Sequence, residues 1–130
     1  MSGYTISTTL SRPYGAALEA VRRALGEQGY GILTEIDLRA TLKAKLDVDV
    51  GPQVILGACR PTLAHAALQA EPSVGLLLPC NVVVRETEDG TVVETVDPQT
   101  MVALTHNGDL QSVADEAKER LEKALATLPA

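Results

Sequence analysis

Two residue periods alternate along this chain of 130 residues. A period of two opens it. Tyr4, Ile6, Thr8 and Leu10 alternate with Thr5, Ser7 and Thr9, which predicts a half-buried strand. After Ser11-Arg-Pro13 the period lengthens to that of a helix. Tyr14, Leu18, Val21 and Leu25 fall at i, i+4, i+7 and i+11 and make one apolar stripe. Pro13 is tolerated in the first turn, where its missing N–H leaves no bond unmade, and Gly26 and Gly29 end the helix.

Tyr30 to Asp37 reads as a second strand, with Ile32, Thr34 and Ile36 on one side and Leu33, Glu35 and Asp37 on the other. Leu38, Leu42 and Leu46 then fall in helical register, with Arg39, Lys43 and Lys45 outside. Gln53 to Arg60 carries apolar residues on both faces, as an interior strand does, and Gly57 within it predicts close approach by another backbone or by a helix. Pro61 opens the next helix, with Leu63, Ala64, Ala67 and Leu68 on its buried side, and Glu71-Pro72-Ser73 stops it. Val74 to Leu78 is a turn or helical piece that delivers Pro79 and a fourth strand, Cys80 to Thr87. Glu88-Asp89-Gly90 predicts a three-residue hairpin loop, which makes Thr91 to Val96 the antiparallel partner. Asp97-Pro98 predicts an N-cap and one helical turn through Met101. Leu110, Val113, Ala114, Ala117, Leu121, Ala124, Leu125 and Leu128 line the inner face of the last helix. The order β-α-β-(α)-β-(α)-β-β-α describes one α+β domain over residues 1–130.

Composition narrows the partners. The chain is 45% apolar and 22% charged, the balance of a globular protein, and its core must be aliphatic because it has three tyrosines and no Phe or Trp. A net charge of −6, with 11 scattered basic residues, argues against a nucleic-acid surface. The longest apolar run is broken by Pro79 and Asn81, far short of the roughly 18 residues a membrane span needs. Met1-Ser-Gly-Tyr-Thr has neither the basic nor the apolar region of a signal peptide, so a cytoplasmic location is expected. There, two cysteines are expected as thiols or ligands rather than as a disulfide.

Candidate chemistry gathers at Cys59-x5-His65-x14-Cys80, at the joints of the third strand, the proline-started helix and the fourth strand. Were the three to converge, they could form a Cys2His metal site, for zinc in the first instance, with the fourth position left to Glu35, water or a ligand. They could equally form a thiol centre in which His65 activates Cys59 and Cys80 resolves it. The third reading is structural: two small buried thiols, and an imidazole bonded to a carbonyl. Glu35 is either a rim carboxylate or turned into a pocket, and Asn81 could hydrogen-bond a ligand or tie down the start of its strand. His106 and Asn107 read as loop-capping groups. No phosphate-cradling glycine loop and no nucleophile elbow is present.

The runs Gly31-Ile-Leu-Thr-Glu-Ile-Asp37, Val54-Ile-Leu-Gly-Ala-Cys59 and Gly75-Leu-Leu-Leu-Pro-Cys-Asn-Val-Val-Val84, with Pro61, Ala64-His65, Asp97-Pro98 and Met101, resemble the domain of unknown function 302 family. The resemblance spans nearly the whole chain. It implies a TATA-binding-protein-like fold, β-α-β4-α, with an antiparallel sheet and helices packed on one face. It also implies small prokaryotic proteins that pair as homodimers, and it carries over no activity. The expectation is a dimeric small-ligand or metal-binding module with a pocket near Cys59, His65 and Cys80. The alternatives are a thiol-dependent or redox-responsive protein using Cys59, and a module whose sheet surface pairs with itself. Whether it is an enzyme stays open.

Overall fold

A computed structural model describes residues 3–130. Its elements are β1 (Thr5–Leu10), α1 (Tyr14–Glu27), β2 (Gly31–Asp37), α2 (Leu38–Leu46), β3 (Gln53–Cys59) and α3 (Pro61–Ala70). A 3₁₀ turn (Pro72–Leu77) leads into β4 (Cys80–Thr87) and β5 (Gly90–Val96), then α4 (Gln99–Thr105), a second 3₁₀ turn (Gly108–Leu110) and α5 (Gln111–Ala126). The strands form one sheet in the order β1-β5-β4-β3-β2, and every neighbouring pair is antiparallel. This is the expected α+β architecture.

Strand alternation sorts the sheet into two unlike faces. Leu10, Val54, Leu56, Ala58, Val82, Val84 and Val93 are buried on one face, against Ala17, Val21, Ala24 and Leu25 of α1 and Leu121, Ala124 and Leu125 of α5. Alanines on both helices let them lie close to the valine-rich strands, so a core without Phe or Trp still packs. Each fully buried Leu or Val contributes roughly 1.5–3 kcal/mol. Thr91 and Thr95 share this face. Their hydroxyls donate to the carbonyls of Arg12 at 2.8 Å and Asn81 at 2.9 Å, which removes most of the cost of burying them. The opposite face carries Ile36, Ile55, Val83, Val92 and Val96 among polar residues, and of its strand residues only Gly57 is fully buried.

A second apolar cluster holds Ala67, Val74, Met101, Leu110, Val113 and Ala114. It draws on α3, α4, α5 and the 3₁₀ turns, and none of these residues is in a strand. The seam between the two clusters is where the chemistry sits.

Four local readings are corrected. A bulge between Ile32 and Thr34 breaks the alternation of β2: Ile32 lies opposite buried Ala58, while Thr34 lies opposite Gly57 on the other face. The hairpin loop has two residues, Glu88 and Asp89, because Gly90 already pairs with Thr87. The N-cap of α4 is Pro98 rather than Asp97, whose carboxylate accepts from Gln99 N–H at 2.9 Å one residue earlier, and α4 runs two turns rather than one. Gly57 is approached by side chains, Thr34 Oγ1 and Pro79 Cγ, rather than by another backbone or a helix.

Candidate functional site

The site begins with the end of α1. Gly29, at φ +81°, donates to Gly26 O at 3.0 Å, and Tyr30 N–H donates to Leu25 O at 3.0 Å. This pair of bonds is the Schellman arrangement, which here turns the chain off the helix and drops Tyr30 into the core beside Leu25. The Tyr30 ring reaches the helix layer, and its hydroxyl donates to Ala117 O of α5 over a long 3.5 Å.

Arg60 follows β3 and precedes Pro61 of α3. It stays half-buried because Gly29 leaves room for it: a Cβ there would lie 3.0 Å from Arg60 Nε. Its Nη1 donates to Thr62 Oγ1 at 2.9 Å and to Glu116 Oε2 at 3.0 Å. Arg120 Nε meets the same Glu116 oxygen at 3.0 Å, so two guanidiniums share one carboxylate. Arg60 Nε is buried and has no hydrogen-bond partner, the one such side-chain N or O atom among the described residues.

Cys80 opens β4 directly opposite Ala58, on the helix-covered face. With Tyr30, Arg60, Leu63, Ala67 and Met101 it lines a cavity of about 30 Å³ between the sheet end and α3. That is room for roughly two water-sized spheres. Burial, and then the neighbouring Cys59, push the Cys80 thiol up to about 11. Burial and the proximity of Cys80 also raise Tyr30, and this outweighs the opposing pull of Arg60 and Arg120. At neutral pH the residues bordering this apolar cavity therefore include a protonated thiol, a protonated phenol that already donates to Ala117 O, and a guanidinium.

The residues expected at a site are only partly brought together. Cys59 and Cys80 both line the cavity and are both free thiols. His65 does not join them. On α3 it falls about 160° round the helix from Ala67, and is exposed. The expected Cys59–His65–Cys80 metal set is thus not assembled, and no group of three or more His, Cys, Asp or Glu side chains among the described residues is placed to hold a metal ion. Glu35 is also elsewhere: the bulge in β2 turns it to the helix face, where it pairs with Arg22 of α1 as a rim carboxylate. Asn81 faces the opposite side of the sheet, in an open groove of about 290 Å³ with Tyr4, Val83, Glu94 and Val96. Asn107 does cap a loop, accepting from Asp109 N–H at 2.9 Å and donating to Ala70 O at 3.0 Å. Sequence reasoning passed over Tyr30 and Arg60. The available signal was Arg60 itself, the lone Lys or Arg between Lys45 and Arg85, standing at a strand-to-helix joint.

The fold and this cleft define a small α+β domain with a five-stranded antiparallel sheet, helices on one face, and a mostly apolar seam cavity at one end of the sheet, bordered by Tyr30, Arg60 and Cys80. Residues 6–128 match the family described as "Domain of unknown function DUF302", and the chain belongs to it. The chain is also similar to a solved protein described as the "uncharacterized conserved protein DUF302 from Bacillus stearothermophilus". The two are 25% identical, with a TM-score of 0.90, over 98% of this chain and 99% of that one. Comparison with curated proteins gives no match. Among the described residues, no helix is long and apolar enough to cross a membrane.

Proposed function

We propose that the chain is a small-ligand-binding module whose ligand seats in the seam cleft, against Tyr30, Arg60 and Cys80. The observation that carries this reading is one buried donor without an acceptor: Arg60 Nε, on a residue that borders an apolar cavity together with Tyr30 and Cys80. A buried donor left unpaired costs about 1–3 kcal/mol, and a ligand that brings an acceptor relieves that cost. Metal binding is less favoured at this place, because a metal competes with the protons of the thiol and the phenol and repels Arg60. The test is a small-fragment screen read by amide NMR shifts, with a cavity-filling Ala67→Leu variant as the control. Ligands should perturb Ala58, Cys80 and Met101, and Ala67→Leu should abolish the effect while the fold persists. A screen in which no fragment perturbs those amides would refute the reading.

A second reading, homodimerisation through the helix-free face, is favoured by the row Ile36–Ile55–Val83, which runs side by side across three strands. Arg85 and Glu94 pair at 3.1 Å on the same face. In a two-fold pairing, Arg85 of one copy can meet Glu94 of the other, so the face is complementary to itself. Sedimentation should then give a dimer that Ile55→Lys converts to a monomer. A monomeric parent protein at micromolar concentration would dismiss the idea.

A further inference from the structure

Three voids outline one segment of the chain. The seam cavity lies under α3, where Leu63 and Ala67 face the sheet end across it. A groove of about 290 Å³ follows the flank of α3, with Thr62 and Ala66 on one side and Ser112 and Glu116 of α5 on the other. A third cavity, of about 70 Å³, lies between Leu77, where the following 3₁₀ turn ends, and Val96 of β5. Between these voids the segment is thinly held. Only Ala67 of α3 and only Val74 of the turn are fully buried. α3 packs mainly against α5 and the two 3₁₀ turns rather than on the sheet. The main core, with Leu56, Val82, Val84 and Val93 at its centre, contains no residue of this segment. Its far end is tied by Asn107. Nδ2 of that side chain donates to Ala70 O at 3.0 Å and to Glu71 Oε1 at 2.9 Å. Its Oδ1 accepts from Asp109 N–H at 2.9 Å, which fixes Asn107 to the turn leading into α5.

We infer that residues 61–77, α3 with its 3₁₀ turn, form a flap over the seam cavity, hinged between the ends of β3 and β4 and latched by Asn107. The inference rests on the ligand-binding reading above and supplies its entry route. A ligand larger than the roughly two water-sized spheres that fit the cavity needs one wall to move. The flap is the wall with least to lose. Lifting it gives up the burial of Ala67 and Val74 and the Asn107 bonds, and leaves the main core as it is. Such an opening is local, and its free energy lies below that of unfolding.

The test is native-state hydrogen exchange of the unliganded chain, followed by NMR as urea is raised below the unfolding transition. No ligand enters it, so the flap and the ligand reading can fail separately. In the parent protein the amides of Ala67, Leu68 and Glu71 should show protection about tenfold or more below that of Leu56 and Val84, with little dependence on urea. In Asn107→Ala that protection should fall a further fivefold or so, and by less in Glu71→Ala, which removes one of the two latch bonds. Exchange of the α3 amides in step with the core amides at every urea concentration would mean that the segment opens only with the whole molecule, and would overturn the flap. Local exchange indifferent to both substitutions would mean that α3 frays behind a closed latch, and would overturn it equally. Glu71→Ala keeps the Asn107 cap on Asp109 N–H, and it decides if Asn107→Ala does not fold.

Discussion

Cys80 stands directly across the sheet from Ala58, facing the helices, and strand alternation turns Cys59, one residue further along β3, toward the other face. Cys59 also borders the seam cavity and is close enough to raise Cys80, but residues on opposite sides of the pleat send their Cβ bonds apart. A disulfide needs Cβ atoms about 3.5–4.5 Å apart with converging bonds. The folded monomer is therefore expected to form no Cys59–Cys80 bond under diamide, whereas the urea-unfolded chain should form it readily. Mass spectrometry of the alkylated peptides distinguishes the two.

The raised thiol has a pH consequence of definite sign. Folded Cys80 keeps its proton up to about 11, while a thiol in the unfolded chain loses it near pH 8.5. Between those values the unfolded state binds fewer protons, so stability falls as pH rises. The contribution is fully present below about pH 8.5 and is lost as pH climbs through 11. Tyr30, raised by the same burial, steepens the fall above about pH 10. Urea midpoints measured from pH 8 to 10.5 should drop for the parent protein, and the drop should be shallower in Cys80→Ala.

At Gly57 the sheet tolerates no side chain. A Cβ there would collide with Thr34 Oγ1 and come within 2.9 Å of Pro79 Cγ. Neither neighbour is the far end of a flexible chain, so Gly57→Ala should cost about 1–3 kcal/mol, as overpacking does. Adding Thr34→Ala removes the hydroxyl contact and leaves the proline contact. Partial recovery of the urea midpoint in the double variant is the expected result, and full recovery would mean that Pro79 moves aside.

How much of this was legible in the sequence follows from the range of each signal. The interior place of β3 was legible because Val54 to Ala58 is a dense apolar run, and the β4–β5 pairing because Gly90 marks a hairpin, both local patterns. The facing of Glu35 was not, because it depends on a one-residue bulge at Leu33 that shifts every later side chain of β2. His65 looked like a partner of the cysteines by distance along the chain, but its angle round α3 decides, and that angle opposes Ala67. Tyr30 and Arg60 were missed for the converse reason. They become a site only when α5 brings Glu116 and Ala117 to them, 56 and 87 residues away in sequence.

His65 is exposed, and nothing in the fold depends on it. His65→Ala should shift stability by no more than about 0.5 kcal/mol, the usual range for a surface substitution. It should also leave any zinc-induced change in melting temperature as it is in the parent protein. A loss of zinc response in His65→Ala alone would restore the imidazole to a metal site.

The Gly29–Arg60 contact joins the end of a helix to the candidate site, and its two components can be separated. Gly29 sits at φ +81°, where a Cβ costs about 1–2 kcal/mol by backbone sterics alone. The same Cβ would lie 3.0 Å from Arg60 Nε, which adds a packing cost that vanishes once the guanidinium is gone. Gly29→Ala in the parent protein should therefore lose more stability than Gly29→Ala on an Arg60→Ala background. The difference, measured as a double-mutant cycle by urea unfolding, is the coupling energy. A value of about 0.5 kcal/mol or more places Arg60 against Gly29 in solution. A coupling of zero would mean that the guanidinium spends its time elsewhere, and Nε would then not be the waiting donor that the ligand reading requires.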